Sequence, residues 1–199
     1  MMAKKDSELN KLLSDEQTSL VPDGIAVVKA CRMAGLETEE RITGIGIAEQ
    51  LLIELDKQKR SLYLFGAKPE VIKKLTEVIK EKYPNIILVG YTDGYVSDKD
   101  KVFEEISALA PDVCLVALGI PAQEKLIYKH LDKFSKGIFV GVGGSFDVIS
   151  GEKKRAPEFF IKCNLEWLYR IAKEPKRLKR FYNSNVKFIF DVKKEIKKG

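Results

Sequence analysis

Val113-Cys-Leu-Val-Ala-Leu118 is a continuous apolar run, and Gly119-Ile-Pro-Ala-Gln-Glu124 follows it directly. A second apolar run, Gly137-Ile-Phe-Val-Gly-Val142, passes into Gly143-Gly-Ser-Phe-Asp147. Both runs have the composition of strands buried in a parallel sheet. In an open α/β sheet, ligands bind in the loops that follow the carboxyl ends of strands. These two loops therefore predict one ligand cleft.

The sequence around these runs alternates between apolar strand patterns and helical spacing, which predicts an α/β fold with a parallel sheet sandwiched by helices, a Rossmann-like arrangement. Helical periodicity also precedes the first strand, over 1–13 and 25–34. The predicted strands are 61–65, 86–89, 113–118 and 138–142, and the helices between them are 69–83, 98–109 and 122–131.

The composition changes after Ser150. Residues 1–150 hold 20 Lys and Arg against 23 Asp and Glu, a net charge of −3, whereas residues 151–199 hold 15 against 6, a net charge of +9. Helical spacing covers 157–173 and resumes at 176–182, and 186–198 fits either a helix or a strand. The division predicts an α/β domain at 1–150, which the resemblance described below implies to be catalytic, and a basic helical C-terminal appendage at 151–199. Such a tail suits anionic lipid, a diphosphate ligand or nucleic acid.

Several classes of protein lack support in this sequence. A chain of 199 residues with 45% hydrophobic content can bury one substantial core, and it has no apolar run long enough to span a bilayer. Its start lacks a secretory signal and its three cysteines have no metal spacing, so we expect a cytoplasmic protein. The dinucleotide fingerprint is missing from the first strand–helix turn, and the P-loop motif does not occur.

Four polar groups are candidates for chemistry. Asp98-Lys-Asp100 matches a metal-binding signature formally, but its position favours a helix cap. The lone histidine, His130, has no partner spacing for a metal or a catalytic triad. Asp23 lies in a turn directly before an apolar helix, as a cap or as a functional carboxylate. Gln123-Glu124 begins a helix whose free N–H groups suit a phosphate, although an ordinary helix start explains it equally well.

Taken together, ordered motifs along almost the whole chain resemble the WecG/TagA/CpsF glycosyltransferases, and most closely the N-acetylmannosaminyltransferases of the wall teichoic acid linkage unit. These motifs are Asp23-Gly24, Arg41-Ile-Thr-Gly44, Phe65-Gly66, Gly119 to Glu124, Gly141 to Asp147, Arg155-Ala-Pro157, Leu165-Glu-Trp-Leu-Tyr-Arg170 and Glu174-Pro-Lys-Arg177.

The resemblance implies an inverting transfer of N-acetylmannosamine from UDP-N-acetylmannosamine to undecaprenyl-diphosphate-linked N-acetylglucosamine, with a β-1,4 linkage and neither metal nor cofactor. It also implies a peripheral position on the inner face of the cell membrane. The family pattern opens with a strand and a Thr-x-Asn-type segment, which we expect to be absent from this chain.

The resemblance also suggests roles for residues. Asp23 is the expected base for the acceptor hydroxyl, and Gln123 would bond the sugar or the phosphates. Arginines are the expected cations for the leaving diphosphate, because a guanidinium binds phosphate bidentately. The arginine candidates are Arg170, Arg177 and Arg180, and the candidates for binding the donor or lining its cleft are Thr43, Gly44, Gly119, Pro121, Glu124, Gly143, Gly144 and Asp147.

Two alternatives to a glycosyltransferase stay open from the residues alone. A basic module without enzymatic activity would bind membrane or nucleic acid with steep salt dependence. A nucleotide-binding oxidoreductase would carry a dinucleotide. The glycosyltransferase that the resemblance implies would instead have a UDP-sugar, a polyprenyl-diphosphate sugar and an anionic membrane as partners, and we expect no nucleic acid. The apolar stripe on the appendage around Trp167, Leu168 and Ile171 could also serve as an interface in a homo-oligomer.

Overall fold

The structure is a computed structural model that describes residues 6–36, 41–163, 165–173, 175–176, 178 and 181–197, with backbone only at 162, 170, 183 and 184. The chain forms two compact units. The sheet unit comprises Asp6–Thr18 and Gly44–Lys154, and the helical unit comprises Ser19–Thr43 and Arg155–Gly199. Residues 19–43 thus cluster with the C-terminal part, whereas the sequence analysis grouped them with the α/β body. Local sequence patterns cannot show such a long-range association.

The sheet unit contains four parallel strands in the order β2-β1-β3-β4. This confirms the α/β class and the parallel sheet. Its elements are α1 (Ser7–Leu13), α3 (Gly44–Gln58), β1 (Ser61–Gly66), α4 (Pro69–Lys82), β2 (Ile87–Thr92), α5 (Lys99–Leu109), β3 (Val113–Ala117), α6 (Ala122–His130), β4 (Ile138–Gly141) and α7 (Ser145–Ile149).

Alternating side chains of the central strands build two hydrophobic clusters, one on each face of the sheet. In β1, Leu62 and Leu64 belong to the cluster that includes residues of α3, α4 and α7. Tyr63 and Phe65 belong to the other cluster, with residues of α5 and partly buried residues of α6. Because both faces are covered, the central strands are apolar throughout, as a buried parallel sheet requires.

The helices begin where proline and capping residues in the sequence predict. Pro69 occupies the first turn of α4, where its missing N–H costs nothing. Asp98 caps α5 by accepting a hydrogen bond from the Lys101 backbone N–H at 3.0 Å, which confirms its interpretation as a cap. The predicted strand at 86–89 begins one residue later and extends to Thr92.

The helical unit contains α2 (Ile25–Met33), α8 (Glu158–Lys162), α9 (Glu166–Lys173) and α10 (Lys187–Ile196). The single helix predicted over 157–173 is wrong, because α8 ends at Lys162 and α9 starts at Glu166. Within the ambiguous segment at 186–198, the residues Lys187–Ile196 form a helix, not a strand. Its start follows a π-helical turn at Tyr182–Val186. Among the described residues, no helix combines the length and apolar character needed to cross a membrane.

Candidate active site

A cleft of about 520 Å³ opens at the carboxyl ends of the strands in the sheet unit. Chain order reverses between β1 and β3, since β2 lies beside β1 on one side and β3 and β4 follow on the other. Such a switch point is where open α/β sheets bind ligands. The cleft is lined by Ala67 and Lys68 after β1, by Gly94, Tyr95 and Lys99 after β2, by Ala117, Leu118, Ala122 and Leu126 of β3, its loop and α6, and by Asp147 and Lys153 after β4.

The floor of the cleft is held by backbone hydrogen bonds between three strand ends. The Ala67 N–H donates to the Ala117 carbonyl at 3.0 Å, and the Gly94 N–H donates to the Ala67 carbonyl at 2.8 Å. Gly66 has a φ of +125°, and a Cβ there would lie 2.4 Å from the Ala117 oxygen. Only glycine permits this close approach of β1 and β3. The backbone of three strand ends therefore fixes the floor of the cleft.

Three lysines and one carboxylate give the cleft its charge. Lys153 Nζ lies 3.3 Å from Asp147 Oδ1. Lys99 Nζ donates to the Val96 carbonyl at 3.1 Å, and Lys68 Nζ lies 3.7 Å from Glu70 Oε1. An excess of cations beside one hydrogen-bond acceptor suits an anionic ligand that also carries hydroxyl or N–H donors.

Gln123 and Glu124 lie at the start of α6, but the Gln123 side chain is only 1% exposed. Its Oε1 accepts from the Gly119 N–H at 3.2 Å, and its Nε2 donates to Glu124 Oε1 at 2.8 Å. Gly141 of β4 leaves the room for this amide, since a Cβ there would lie 2.5 Å from Gln123 Nε2. Gln123 therefore braces the loop that contains Pro121, whose peptide bond with Ile120 is cis.

Of the four glycines expected near the donor, Gly119 lies in the loop after β3 and the other three lie around the loop after β4. A Cβ on Gly44, at the start of α3, would lie 3.5 Å from the Val142 carbonyl. Gly143 has a φ of +51° with open space around it, as does Gly119 with a φ of +83°. Gly144 caps α7, the helix that carries Asp147. The sheet unit thus brings Gly44, Gly143 and Gly144 into one region.

The helical unit contains Asp23 and Thr43. The Asp23 side chain is 64% exposed, and Arg41 Nη2 lies 3.8 Å from its Oδ1. Arg41 Nε also donates to the Asp23 carbonyl at 2.5 Å. Thr43 is partly buried at the end of the same segment as Arg41. Asp23 is therefore an accessible carboxylate on a loop that an arginine fixes through its backbone.

The three arginines predicted to bind the diphosphate cannot be compared with the cleft. Arg177 and Arg180 lie outside the described residues, and only the backbone of Arg170 is described, within α9. Their proposed role remains a prediction from the sequence.

His130 has a structural role in the sheet unit. It is 2% exposed, its Nε2 lies 2.6 Å from Asp100 Oδ1, and its ring stacks on Phe103 with centroids 5.0 Å apart. Within the described part of the chain, no group of three or more His, Cys, Asp or Glu side chains has a metal-binding arrangement.

Sequence reasoning missed Lys68, Tyr95, Lys99 and Lys153. Each is a single residue without a signature motif. The available signal was position, because Lys68 follows β1 by two residues and Tyr95 follows β2 by three. The order of the strands would have been needed to recognise that these loops share one cleft.

Comparison with known proteins identifies the family. The sequence model of the "Glycosyl transferase WecG/TagA/CpsF family" matches residues 1–199. The chain belongs to this family. The match confirms the resemblance seen in the sequence motifs, and it favours an enzyme over the basic module and a glycosyltransferase over the oxidoreductase.

Three relatives within the WecG/TagA/CpsF family share the name N-acetylglucosaminyldiphosphoundecaprenol N-acetyl-beta-D-mannosaminyltransferase. The protein of Bacillus subtilis strain 168 is 43% identical over 98% of this chain and 75% of its own length. That of Bacillus spizizenii is 43% identical over 81% of this chain and 63% of its own length. That of Staphylococcus aureus strain MW2 is 34% identical over 94% of this chain and 74% of its own length.

Proposed function

We propose that this glycosyltransferase moves N-acetylmannosamine from UDP-N-acetylmannosamine to N-acetylglucosamine linked to undecaprenyl diphosphate, with inversion and a β-1,4 linkage. The acceptor and the sugar follow the names of the relatives. The observation that carries the proposal is the cationic cleft at the switch point of the sheet, in a member of a glycosyltransferase family.

The cleft is suited to the nucleotide part of the donor. Its volume of about 520 Å³ falls within the usual ~300–1,000 Å³ of small-molecule sites. Lys68, Lys99 and Lys153 supply positive charge for the diphosphate, and Asp147 can accept hydrogen bonds from the ribose or the base. Gln123 acts mainly by holding the Gly119 loop, because its amide is buried and bonded internally.

Asp23 serves as the general base that takes the proton from the acceptor hydroxyl. The hydroxyl oxygen attacks the anomeric carbon, the bond from that carbon to the diphosphate breaks, and UDP leaves with the bonding electrons. A base must reach its substrate, and the exposed Asp23 carboxylate meets that condition. Arg170, Arg177 and Arg180 would stabilise the negative charge that develops on UDP.

The acceptor lipid gives a reason for binding to the inner face of the cell membrane. On α10, Phe190 is 67% exposed and Ile196 is 44% exposed, and Lys193 and Lys194 occupy its last turn. Exposed apolar and basic side chains on one helix are typical of helices that lie on anionic bilayers. Sedimentation with vesicles of phosphatidylglycerol and of phosphatidylcholine tests this, and equal binding to both would contradict it.

The activity is tested by measuring UDP release from UDP-N-acetylmannosamine with and without a short-chain lipid-diphosphate N-acetylglucosamine. Release that depends on the acceptor, with a disaccharide product of β-1,4 linkage by NMR, supports the proposal. UDP-N-acetylglucosamine is the matched control donor. Release from the control donor alone would contradict the assigned sugar, and failure to bind UDP would contradict the assigned cleft.

A further inference from the structure

Glu166 is a buried charged residue for which the reaction described above has no use. It is 5% exposed and lies in the first turn of α9. A carboxylate at that end of a helix is favoured by the helix dipole, but exposed positions satisfy this equally well. Burying a charge is costly unless it is paired. Its burial therefore points to the partner that it binds.

Arg41 is a partner of Glu166. Arg41 Nη2 donates to Glu166 Oε2 at 3.3 Å, and the Arg41 side chain is 23% exposed. The same guanidinium donates through Nε to the Asp23 carbonyl and lies 3.8 Å from the Asp23 carboxylate. One arginine thus joins the start of α9 to the loop of the proposed base.

The backbone adds a second connection between these two loop segments. The Ile42 N–H donates to the Pro22 carbonyl at 3.2 Å, directly beside the bond from Arg41 to Asp23. Segments 22–23 and 41–42 are therefore paired by neighbouring hydrogen bonds. Since the Asp23 side chain is largely exposed, its direction depends on this pairing more than on packing.

We propose that Glu166 is a positioning residue for the reaction: by holding Arg41, it fixes the backbone of Asp23 and makes placement of the base depend on the docking of α9. This rests on the proposed role of Asp23. The helix that carries Arg170 then also orients Asp23. The proposed base and one proposed cation for the leaving UDP are therefore positioned together. A displacement of about 1 Å in a reacting group can cost up to about 100-fold in rate.

Two measurements test this in the full chain. Glu166→Gln keeps the size of the side chain and removes its charge. Arg41→Lys keeps the positive charge but loses the guanidinium, which bonds the Asp23 carbonyl through Nε and Glu166 through Nη2. The first measurement is hydrogen exchange at the Ile42 amide, which reports pairing of the two segments without any activity. The second is steady-state kinetics of UDP release. Glu152→Gln, which removes an exposed carboxylate 3.4 Å from Lys74, is the matched control.

We expect hydrogen exchange at the Ile42 amide to be about 10-fold faster in each single variant. The double variant should exchange at the same rate as the single variants, because the two residues act through one contact. We also expect kcat to fall roughly 10- to 100-fold while the KM for the donor stays within about twofold. The control changes neither.

Unchanged exchange at Ile42 in Glu166→Gln would overturn the inference, as would effects of the two substitutions that simply add. Faster exchange at Ile42 supports the link to the Asp23 loop even if the wild-type protein fails to use UDP-N-acetylmannosamine. In that case the proposed donor fails separately.

Discussion

The two units of the molecule are built in different ways. The sheet unit contains both hydrophobic clusters, which join four strands to the helices on each face. In the helical unit, the buried apolar side chains are the small residues Ala26, Val28, Ala30 and Ala156 among those described. Large apolar side chains such as Phe159, Phe190 and Leu178 are exposed there.

The difference indicates that the two units contribute to function in different ways. Tight packing in the sheet unit gives a rigid cleft whose floor is fixed by backbone hydrogen bonds. The helical unit instead positions charged groups through polar contacts, such as those of Arg41 with Asp23 and Glu166. We therefore expect substitutions in the sheet unit to change stability and donor binding, and substitutions in the helical unit to change turnover.

Among these substitutions, we expect Asp23→Asn to have the largest effect. Loss of the general base should lower kcat by about 10²- to 10⁴-fold. The Kd for UDP should stay unchanged, because the nucleotide is assigned to the cleft of the sheet unit. The Asp23 loop should also keep its conformation, since the substitution keeps the Asp23 backbone carbonyl that accepts a hydrogen bond from Arg41 Nε. Kinetics of UDP release and calorimetry with UDP check the two parts. A loss of UDP affinity equal to the loss of rate would contradict the division.

Gly66→Ala tests the packing of the sheet unit. A Cβ 2.4 Å from the Ala117 oxygen, at a φ of +125°, should lower the free energy of unfolding by about 3 kcal/mol. Gly35→Ala in the helical unit is the control, since its φ is +74° but nothing lies within 4 Å of the added methyl. Strain alone should cost about 1 kcal/mol there. Urea denaturation measures both, and equal losses would show that the close approach of β1 and β3 is unimportant.

The sequence predicted the strands well and the cleft only in part, for a physical reason. Apolar runs such as 113–118 are local signals, so β3 and β4 were found within one residue of their ends. Strand order depends on long-range pairing, and it places β1 at the centre beside β3. The apolar runs therefore point only to the loops after β3 and β4, and they give no sign of Lys68 in the loop after β1.

The helical unit was harder to predict. Its apolar spacing over 157–173 continues through the break between α8 and α9, since periodicity shows which face is apolar but not where the chain turns. The ion pair of Arg41 with Glu166 joins residues that are 125 positions apart, and no local pattern indicates such a contact.

Asp112 gives the sheet unit a dependence on pH. Its carboxylate accepts hydrogen bonds from the Ser61 hydroxyl at 2.6 Å and the Ser61 N–H at 2.8 Å, which join the amino ends of β1 and β3. These bonds, aided by Lys136 and Arg60, lower the pKa of Asp112 to about 2 from 3.8. The stabilisation is therefore complete above pH 3.8 and is lost as the pH falls through about 2.

Asp112→Asn should lower the free energy of unfolding at pH 7 by about 1.5 kcal/mol, because hydrogen bonds to a charged group are replaced by neutral ones. The difference from the wild type should shrink as the pH approaches 2. Urea denaturation at pH 7, 4 and 2.5 checks this. Glu81→Gln, at an exposed position of α4, is the control. A difference that stayed constant with pH would show that the charge of Asp112 contributes nothing.

Lys99→Ala is the finest test of the comparison, because it asks whether the cleft binds the donor through single lysines. Lys99 lines the cleft, whereas Lys101 lies exposed two residues further along α5. Loss of one charge-assisted contact to a diphosphate is worth about 1.5 kcal/mol, which is about a tenfold rise in the Kd for UDP. Lys101→Ala should leave the Kd within about twofold, since an exposed charge is screened by solvent and salt.

Calorimetry at low and moderate salt separates the effects of the two substitutions. Equal effects of both substitutions would mean that only the general field of the unit attracts the nucleotide, and the cleft would then lose its assigned contact. A selective effect of Lys99 on Kd, with kcat unchanged, would place donor binding in the sheet unit and leave turnover to the residues around Asp23.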